Sequence, residues 1–280
     1  MICFHHDDLD GRCAAAIVLR AFPGGRSEEA GYGRPVPVEK AGRGEKVFIV
    51  DFTFPRDAMS ELLAKTGDVT WIDHHLSALR VQYPRKLAGI LSPEKAACEL
   101  AWDYLFPGRP APEAVRLTGD KDVWAWKYGD ETAFFNEGIR VFEHHPEAPL
   151  WKALLDDDAA AMAGIKASGA TCVRYRRAIC ADYVNRFAFE TVIEGRRAIA
   201  VGLQMFGSET FGERAGQYDL CLTFEFDGRH WSVSLFSETV DVSGIAEKYG
   251  GGGHRGAAGF TCSRPPFPPF EALPGMERPA

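Results

Sequence analysis

Val47-Phe48-Ile49-Val50-Asp51, introduced by Lys46, is an unbroken apolar run ended by an acid. A run so short and so continuous reads as a strand buried on both faces, as in a parallel sheet. On its N-terminal side, Ile2-Cys3-Phe4 is a shorter strand, followed by a helix over 14–21. On its C-terminal side, Pro55 to Lys65 reads as a helix with proline in its first turn. Val69-Thr70-Trp71-Ile72 is a third strand, and Ser92 to Phe106 an amphipathic helix with Ser92-Pro93 as cap and first turn. Strands alternating with helices predict an α/β domain around a parallel sheet. From Pro112 to Phe187 the pattern is nearly all helical, with 159–186 the longest helix. Strands then return at 198–203, 220–226 and 230–236, with Asp227-Gly228 turning the last pair as a hairpin. Ser243 to Tyr249 is a short helix running into four glycines. The stretch 264–280 holds six prolines in 17 residues and is expected to be a disordered or wrapped extension.

Composition bounds the function. Apolar residues make up 46% of the 280 and charged residues 25%, as in globular proteins. The net charge of −7 argues against a long nucleic-acid track, which needs a basic stripe to displace counterions. A small anion remains compatible, because bound metal can reverse the field inside one cleft. Seven scattered cysteines without a C-x-x-C pair suit reduced thiols in the core. Met1-Ile2-Cys3-Phe4 leads straight into charged residues, and no apolar run approaches the roughly 20 of a membrane span. A cytoplasmic protein without a membrane partner is expected.

Three acidic and histidine motifs fall at the ends of the three strands. In His6-Asp7-Asp8-Leu9-Asp10-Gly11, alternate residues His6, Asp8 and Asp10 point one way from an extended segment and offer one nitrogen and two carboxylates. Gly11 permits a tight entry into the helix. Asp51 stands at the carboxyl edge of its strand, where such sheets bind ligands. Asp73-His74-His75 follows the third strand, and adjacent histidines point apart, so one suits a metal and the other a substrate. A fourth candidate lies in Thr118-Gly119-Asp120-Lys121-Asp122, where spacing alone does not choose between Asp120 and Asp122.

The order of these motifs resembles the DHH phosphoesterases, a superfamily of RecJ-type exonucleases, nanoRNases, cyclic-dinucleotide phosphodiesterases and family II pyrophosphatases. The likeness continues through Val240-Asp241-Val242-Ser243 and Gly250-Gly251-Gly252-Gly253-His254-Arg255-Gly256, which resemble the DHH-associated domain of the nuclease branch. It implies a bilobed α/β protein: a catalytic domain over 1–150, a helical linker over 151–187, a smaller α/β DHH-associated domain over 188–263 and the proline-rich 264–280. It also implies that His6 and Asp8 hold one metal, Asp10, His74 and Asp120 the other, and that Asp51 bridges them. His75 would face the scissile phosphate, with Asp73 orienting it, and Gly251, Gly252, Gly253, His254 and Arg255 would grip the substrate. One departure is Phe236, within Ser234-Leu235-Phe236-Ser237, where nanoRNase relatives tend to carry arginine. The surroundings of Trp124 are more similar to the oligoribonuclease branch.

A donor set of carboxylates and imidazoles suits manganese before magnesium or cobalt, and suits zinc poorly because no cysteine lies in the motifs. Two ions roughly 3.5–4 Å apart would activate a water and neutralise the phosphoryl oxygens. The glycine run is expected to leave successive N–H groups free as an anion nest. His144-His145 reads as an exposed pair, Trp124, Trp126 and Tyr128 as core or interface residues, Asp156-Asp157-Asp158 as a helix cap, and Arg174, Arg176 and Arg177 as a solvated face. The resulting expectation is a metal-dependent phosphoesterase acting on short oligonucleotides, dinucleotides or adenosine bisphosphate. An exonuclease, a pyrophosphatase or a silent nucleotide sensor are the alternatives, and the helical middle offers a homodimer face.

Overall fold

The structure is a computed structural model that describes residues 1–203 and 206–267. The chain divides into two compact units, one over 1–173 and one from Arg174 onward. The first contains β1 (Ile2–His6), α1 (Leu9–Ala21), β2 (Arg26–Ala30), β3 (Val47–Val50), α2 (Arg56–Lys65), β4 (Val69–Asp73), β5 (Ala88–Leu91), α3 (Ala97–Leu105), α4 (Glu113–Asp122), α5 (Asp130–Gly138), α6 (Pro149–Leu155) and the start of α7 (Ala159–Phe187). Its five strands are all parallel, in the order β2-β1-β3-β4-β5. Side chains alternate across the sheet. Cys3, Phe48, Val50 and Ile72 pack with α1, α3, α4 and α6 on one face. Ile2, Phe4, Val47, Ile49 and Trp71 pack with Met59 and Leu62 of α2 on the other. Burial on both faces is why β3 reads as an unbroken apolar run.

The edge strands had no such signal. β2 is Arg-Ser-Glu-Glu-Ala, and its charges engage partners at the rim, Arg26 with Glu45 at 2.6 Å and Lys40 with Glu28 at 2.5 Å. The third helix begins at Ala97, so Ser92-Pro93 is not its cap; Ser92 donates its N–H to Asp73 and extends the sheet edge instead. Asp158 caps α7 by accepting from the N–H groups of Ala160 and Ala161, both at 2.9 Å. Trp151, Leu154, Leu155, Met162 and Ile165 lie in the core of the first unit, so this part of the segment read as a linker is packed structure.

The second unit holds β6 (Phe189–Ile193), β7 (Arg196–Val201), β8 (Leu220–Phe226), β9 (Trp231–Phe236), α8 (Ser243–Lys248), β10 (Gly252–His254) and β11 (Ala257–Cys262). The sheet order is β10-β11-β9-β8-β7-β6, antiparallel except for β7 with β8. Asp227 closes the hairpin, its carboxylate accepting from Arg229 and His230 N–H at 2.7 Å. The glycine run is not an open nest. Gly250 and Gly251 donate their N–H groups to Glu247 and Ala246 at the end of α8, and Gly252 onward is strand. Phe267 is buried in this unit's core, so the proline-rich stretch is packed at its start; 268–280 lie outside the described residues. Arg176, read as part of a solvated face, is buried and paired with Glu209. Among the described residues no helix is long and apolar enough to cross a membrane.

One helix crossing tests the packing of the first unit. A Cβ on Gly169 of α7 would lie 1.7 Å from the Phe134 carbonyl oxygen of α5, which is backbone and cannot step aside. Gly169→Ala is therefore expected to destabilise by at least about 2 kcal/mol in denaturant unfolding. Gly164→Ala, on the same helix with nothing within 4 Å, should be neutral or stabilising by up to about 1 kcal/mol.

Candidate metal centre

The order β2-β1-β3-β4-β5 reverses direction between β1 and β3, and the carboxyl ends of strands at such a reversal form a crevice. His6 ends β1, Asp51 follows β3 and Asp73 ends β4, so the fold brings the three strand-end motifs together there. Asp8 caps α1 through the Gly11 N–H at 2.9 Å, and its other oxygen lies 2.7 Å from His6 Nδ1. Gly11 is obligatory: a Cβ would meet the His6 carbonyl oxygen at 2.4 Å. Asp10, only 2% exposed, accepts from the Ala97 and Cys98 N–H groups at 2.8 and 2.9 Å, against the N-terminus of α3.

Asp51 is the centre of the group. Its Oδ1 lies 3.2 Å from His74 Nε2 and 3.8 Å from His75 Nδ1, and its Oδ2 lies 3.7 Å from His6 Nδ1. It is 1% exposed, and neither oxygen has a hydrogen-bond partner among the described residues. Its φ of 56° puts it in the left-handed region, a strain that side chains other than glycine adopt at a cost. The following loop is anchored by Trp71 Nε1 donating to the Phe52 carbonyl at 3.0 Å and Tyr83 OH to the Phe54 carbonyl at 2.7 Å. His74 Nε2 also lies 3.3 Å from Asp122 Oδ2 and 3.9 Å from Asp10 Oδ2. Donor atoms thus converge as His6, Asp8 and Asp51; Asp51, His74 and His75; and Asp10, His74 and Asp122.

Asp120, which the resemblance pointed to as a ligand, is turned elsewhere. Its carboxylate accepts from the N–H groups of Lys127 and Tyr128, at 2.8 and 3.3 Å, and from the Thr132 hydroxyl. It is an internal brace for the loop after α4, with its lone pairs engaged. Asp122 takes the place beside His74, with Oδ2 buried and without a hydrogen-bond partner.

The electrostatics are those of a cation site. Burial first, then the charges of Asp10, Asp8 and Asp122, push the Asp51 carboxyl well above the usual range. Burial and the charges of Asp10 and Asp8 raise Asp122, and burial and Asp8 carry Asp10 to about 6 despite its backbone donors. Asp8 goes the other way: burial raises it, but the His6 contact and the Gly11 N–H outweigh that and hold it at about 2. Among the described residues no lysine or arginine pairs with these four acids; their ion-pair partners are histidines. Orphaned buried oxygens beside imidazole nitrogens fit divalent metal better than any group on the chain.

His75 is fixed differently. Its Nδ1 lies 2.7 Å from Asp73 Oδ1, whose carboxyl is held low against burial by His75 itself, so the ring nitrogen is the donor. Asp73 also accepts the His75 N–H at 3.1 Å and the Thr53 hydroxyl at 2.8 Å. The Asp73 contact raises the His75 pKa, and the ring is partly exposed.

A cavity of about 610 Å³ adjoins the acids, with Asp7, Asp8, Asp10 and Asp122 in its lining. Its other walls include Arg12, Thr118, Lys121, Trp124, Arg140 and His144. None of these is a site residue by its sequence pattern, which places Trp124 in packing and His144 in solvent. The one available signal was Arg12, four residues after Asp8 on the first turns of α1, where i and i+4 share a face. Gly251, Gly252, Gly253, His254 and Arg255 belong to the second unit, with His254 and Arg255 exposed at the β10–β11 turn.

The two-unit architecture and the ordered strand-end motifs define the class: the chain has the fold of the DHH phosphoesterases. Among solved structures it is similar to a DHH domain described as coming from a member of a ribosomal-protein family (TM-score 0.61, 14% identity, 92% of this chain and 81% of that one). It is also similar to the pGpG-specific phosphodiesterase PggH of Vibrio cholerae (0.55, 14%, 94% and 93%) and to RecJ of Thermus thermophilus with Mn2+ (0.50, 16%, 92% and 49%). Curated relatives include protein R106 of Acanthamoeba polyphaga mimivirus, 24% identical over 79% of this chain, which spans about half (54%) of that relative's length. Oligoribonuclease NrnB of Bacillus subtilis is 25% identical over 93% of this chain and 72% of its own. No family model matches the chain.

Two measurements check this reading. Asp122→Asn is expected to weaken manganese binding at least tenfold by calorimetry, whereas Asp120→Asn should lower thermal stability, by about 1–3 kcal/mol, with affinity little changed. The folded Asp10 carboxyl titrates near 6 against 3.8 ordinarily, so between those values the folded state holds a proton the unfolded chain has released. Stability in EDTA should therefore fall as pH rises from about 4 to about 6, with Asp51 and Asp122 adding to the fall in the same direction. Manganese should reverse the trend; a melting temperature that rises across this window in EDTA would refute the clustered-charge account.

Proposed function

We propose that the protein is a two-metal phosphoesterase that hydrolyses short oligonucleotides, dinucleotides or nucleotide phosphomonoesters such as adenosine bisphosphate. The observation that carries this is Asp51, buried, strained and with both oxygens orphaned between two donor groups. His6 and Asp8 would hold one ion, Asp10, His74 and Asp122 the other, and Asp51 would be shared. Bound divalent metal supplies Lewis acidity toward the phosphoryl oxygens and activates water near neutral pH. Manganese is favoured by the mixed nitrogen and oxygen donors, and the RecJ structure is a manganese complex.

The chain's own residues do the rest. His75, oriented by Asp73 through Nδ1, keeps its other ring nitrogen for a phosphoryl oxygen or the leaving group. The Asp10 carboxylate is held by the Ala97 and Cys98 N–H groups, and Asp51 is positioned by its own N–H donating to the Ile72 carbonyl, contacts that do not depend on substrate. His254 and Arg255, with the glycines before them, would bind substrate from the second unit. Similarity to oligoribonuclease NrnB and to the fold of a pGpG phosphodiesterase supports short substrates, as does the net charge of −7. Seven free cysteines suit a reducing, cytoplasmic setting.

The test is turnover with manganese on RNA of two to about 24 nucleotides, adenosine bisphosphate and linear and cyclic dinucleotides, beside Asp51→Ala. Rates highest on the shortest substrates and lost in Asp51→Ala are expected. His75→Ala should lower kcat by about 10²-fold or more with KM little changed. Manganese binding without turnover of any substrate would favour a nucleotide sensor.

A further inference from the structure

We infer that Tyr32 is a base-stacking platform at the metal centre, selecting phosphate esters that carry a nucleobase over those that do not. The inference rests on the proposed phosphoesterase reading and adds a residue that decides which esters the site accepts.

Tyr32 lies just after β2, in the stretch Gly31-Tyr32-Gly33-Arg34. Two contacts fix this stretch. The Arg34 N–H donates to the Gly31 carbonyl at 3.3 Å and closes a turn, and the Arg34 guanidinium pairs with Asp7, between His6 and Asp8. The Tyr32 ring then packs with its centroid 4.8 Å from that of Phe52 and 5.4 Å from that of His6. Phe52 is 1% exposed, follows Asp51 directly, and stacks with the His6 ring at 6.2 Å and an interplanar angle of 16°. Tyr32 is therefore backed by one ring of the core and by one imidazole of the metal centre. A ring held in this way loses little freedom when a ligand stacks on it.

Tyr32 is nevertheless 56% exposed. Single exposed aromatic residues are ordinary on a protein surface. This one stands against His6, so a nucleoside esterified to a metal-bound phosphate has its base within reach of the open ring. Every base has a π face, so stacking of this kind tolerates any base and requires one. Bare phosphate or pyrophosphate would gain nothing from such a ring and would gain from a cation, yet the cation of this stretch, Arg34, is engaged by Asp7. Burial, and then the charge of Asp73, push the Tyr32 phenol up to about 12. The ring thus stays neutral and does not repel an anionic substrate.

The test uses the full chain loaded with manganese, beside Tyr32→Ala, Tyr32→Leu and Tyr32→Phe. The ligands are a dinucleotide of two adenosines and its counterpart lacking both bases. Each is also made with methylene in place of the bridging oxygen, which keeps the charge and blocks hydrolysis. The unsubstituted protein should bind the base-bearing analogue at least about tenfold more tightly than the abasic one. Tyr32→Ala and Tyr32→Leu should lose most of that preference, and Tyr32→Phe should keep it. In turnover the loss should appear in KM, with kcat changed less than about twofold. Manganese affinity by calorimetry should not differ among the four proteins. No preference in the unsubstituted protein, or a preference that survives both Tyr32→Ala and Tyr32→Leu, overturns the platform. So does a preference lost equally in Tyr32→Phe, which would assign it to the hydroxyl, or weakened manganese binding with the preference intact, which would make the ring a cover for His6. Base-dependent binding that requires Tyr32, without turnover of either dinucleotide, would keep the platform and refute the phosphoesterase reading.

Discussion

Asp8, Asp10, Asp51 and Asp122 converge in one crevice, each in contact with His6 or His74, and no lysine or arginine among the described residues neutralises them. Each buried carboxylate costs several kcal/mol in lost hydration, and like charges a few ångströms apart add to that. A chain left to minimise its own energy would separate them or surround them with basic residues. This one fixes them rigidly, so the cluster makes physical sense as half of an interaction whose other half is a cation. The upward displacement of Asp10, Asp51 and Asp122 records the same frustration from the proton's side.

Rigidity is what the scaffold contributes. The reversal of strand order between β1 and β3 opens the crevice, and three of the clustered acids are then positioned by backbone rather than by long side chains. Asp10 is gripped by two N–H groups of α3, Asp8 by the Gly11 N–H, and Asp51 by a left-handed turn that Trp71 and Tyr83 anchor from beneath. Such strain costs about 1–3 kcal/mol and persists only when the surroundings over-determine it. Phe52 and Phe54, each 1% exposed, provide that determination by sealing the loop into the core.

Much of this was legible in the sequence because the relevant signals are local. A parallel strand buried on both faces shows as an apolar run, and an acid at its end shows as the next residue; β3 with Asp51 and β4 with Asp73-His74-His75 are read this way. β2 was invisible because an edge strand studded with ion pairs looks like a loop, and β5 because Gly89 interrupts a four-residue strand. The glycine run suggested a nest, yet donors of Gly250 and Gly251 are absorbed by α8, a fact that depends on the helix ending where it does. The cavity residues come from the β1–α1 junction, α1, α4 and the loop after it, α5 and the segment that follows, and only packing brings Arg12 beside His144, 132 positions away.

The fourth motif shows the same limit in its sharpest form. Residues two apart on a helix are rotated by roughly 200° about its axis, so Asp120 and Asp122 face nearly opposite ways and cannot share a site. Spacing offers no reason to prefer either, and the resemblance pointed to Asp120; the choice is made by the rotation of α4, which its contacts with α5, α3, α1 and α6 fix. Both carboxylates are nevertheless used. Asp120 gathers Lys127, Tyr128 and Thr132 and so folds the loop that carries Trp124 to the cavity, while Asp122 reaches His74 at its acidic wall. One helical turn thereby places one carboxylate beside His74 and the other at the root of the loop that carries Trp124. A change in the rotation of α4 would disturb the acid cluster and the loop at the cavity wall together.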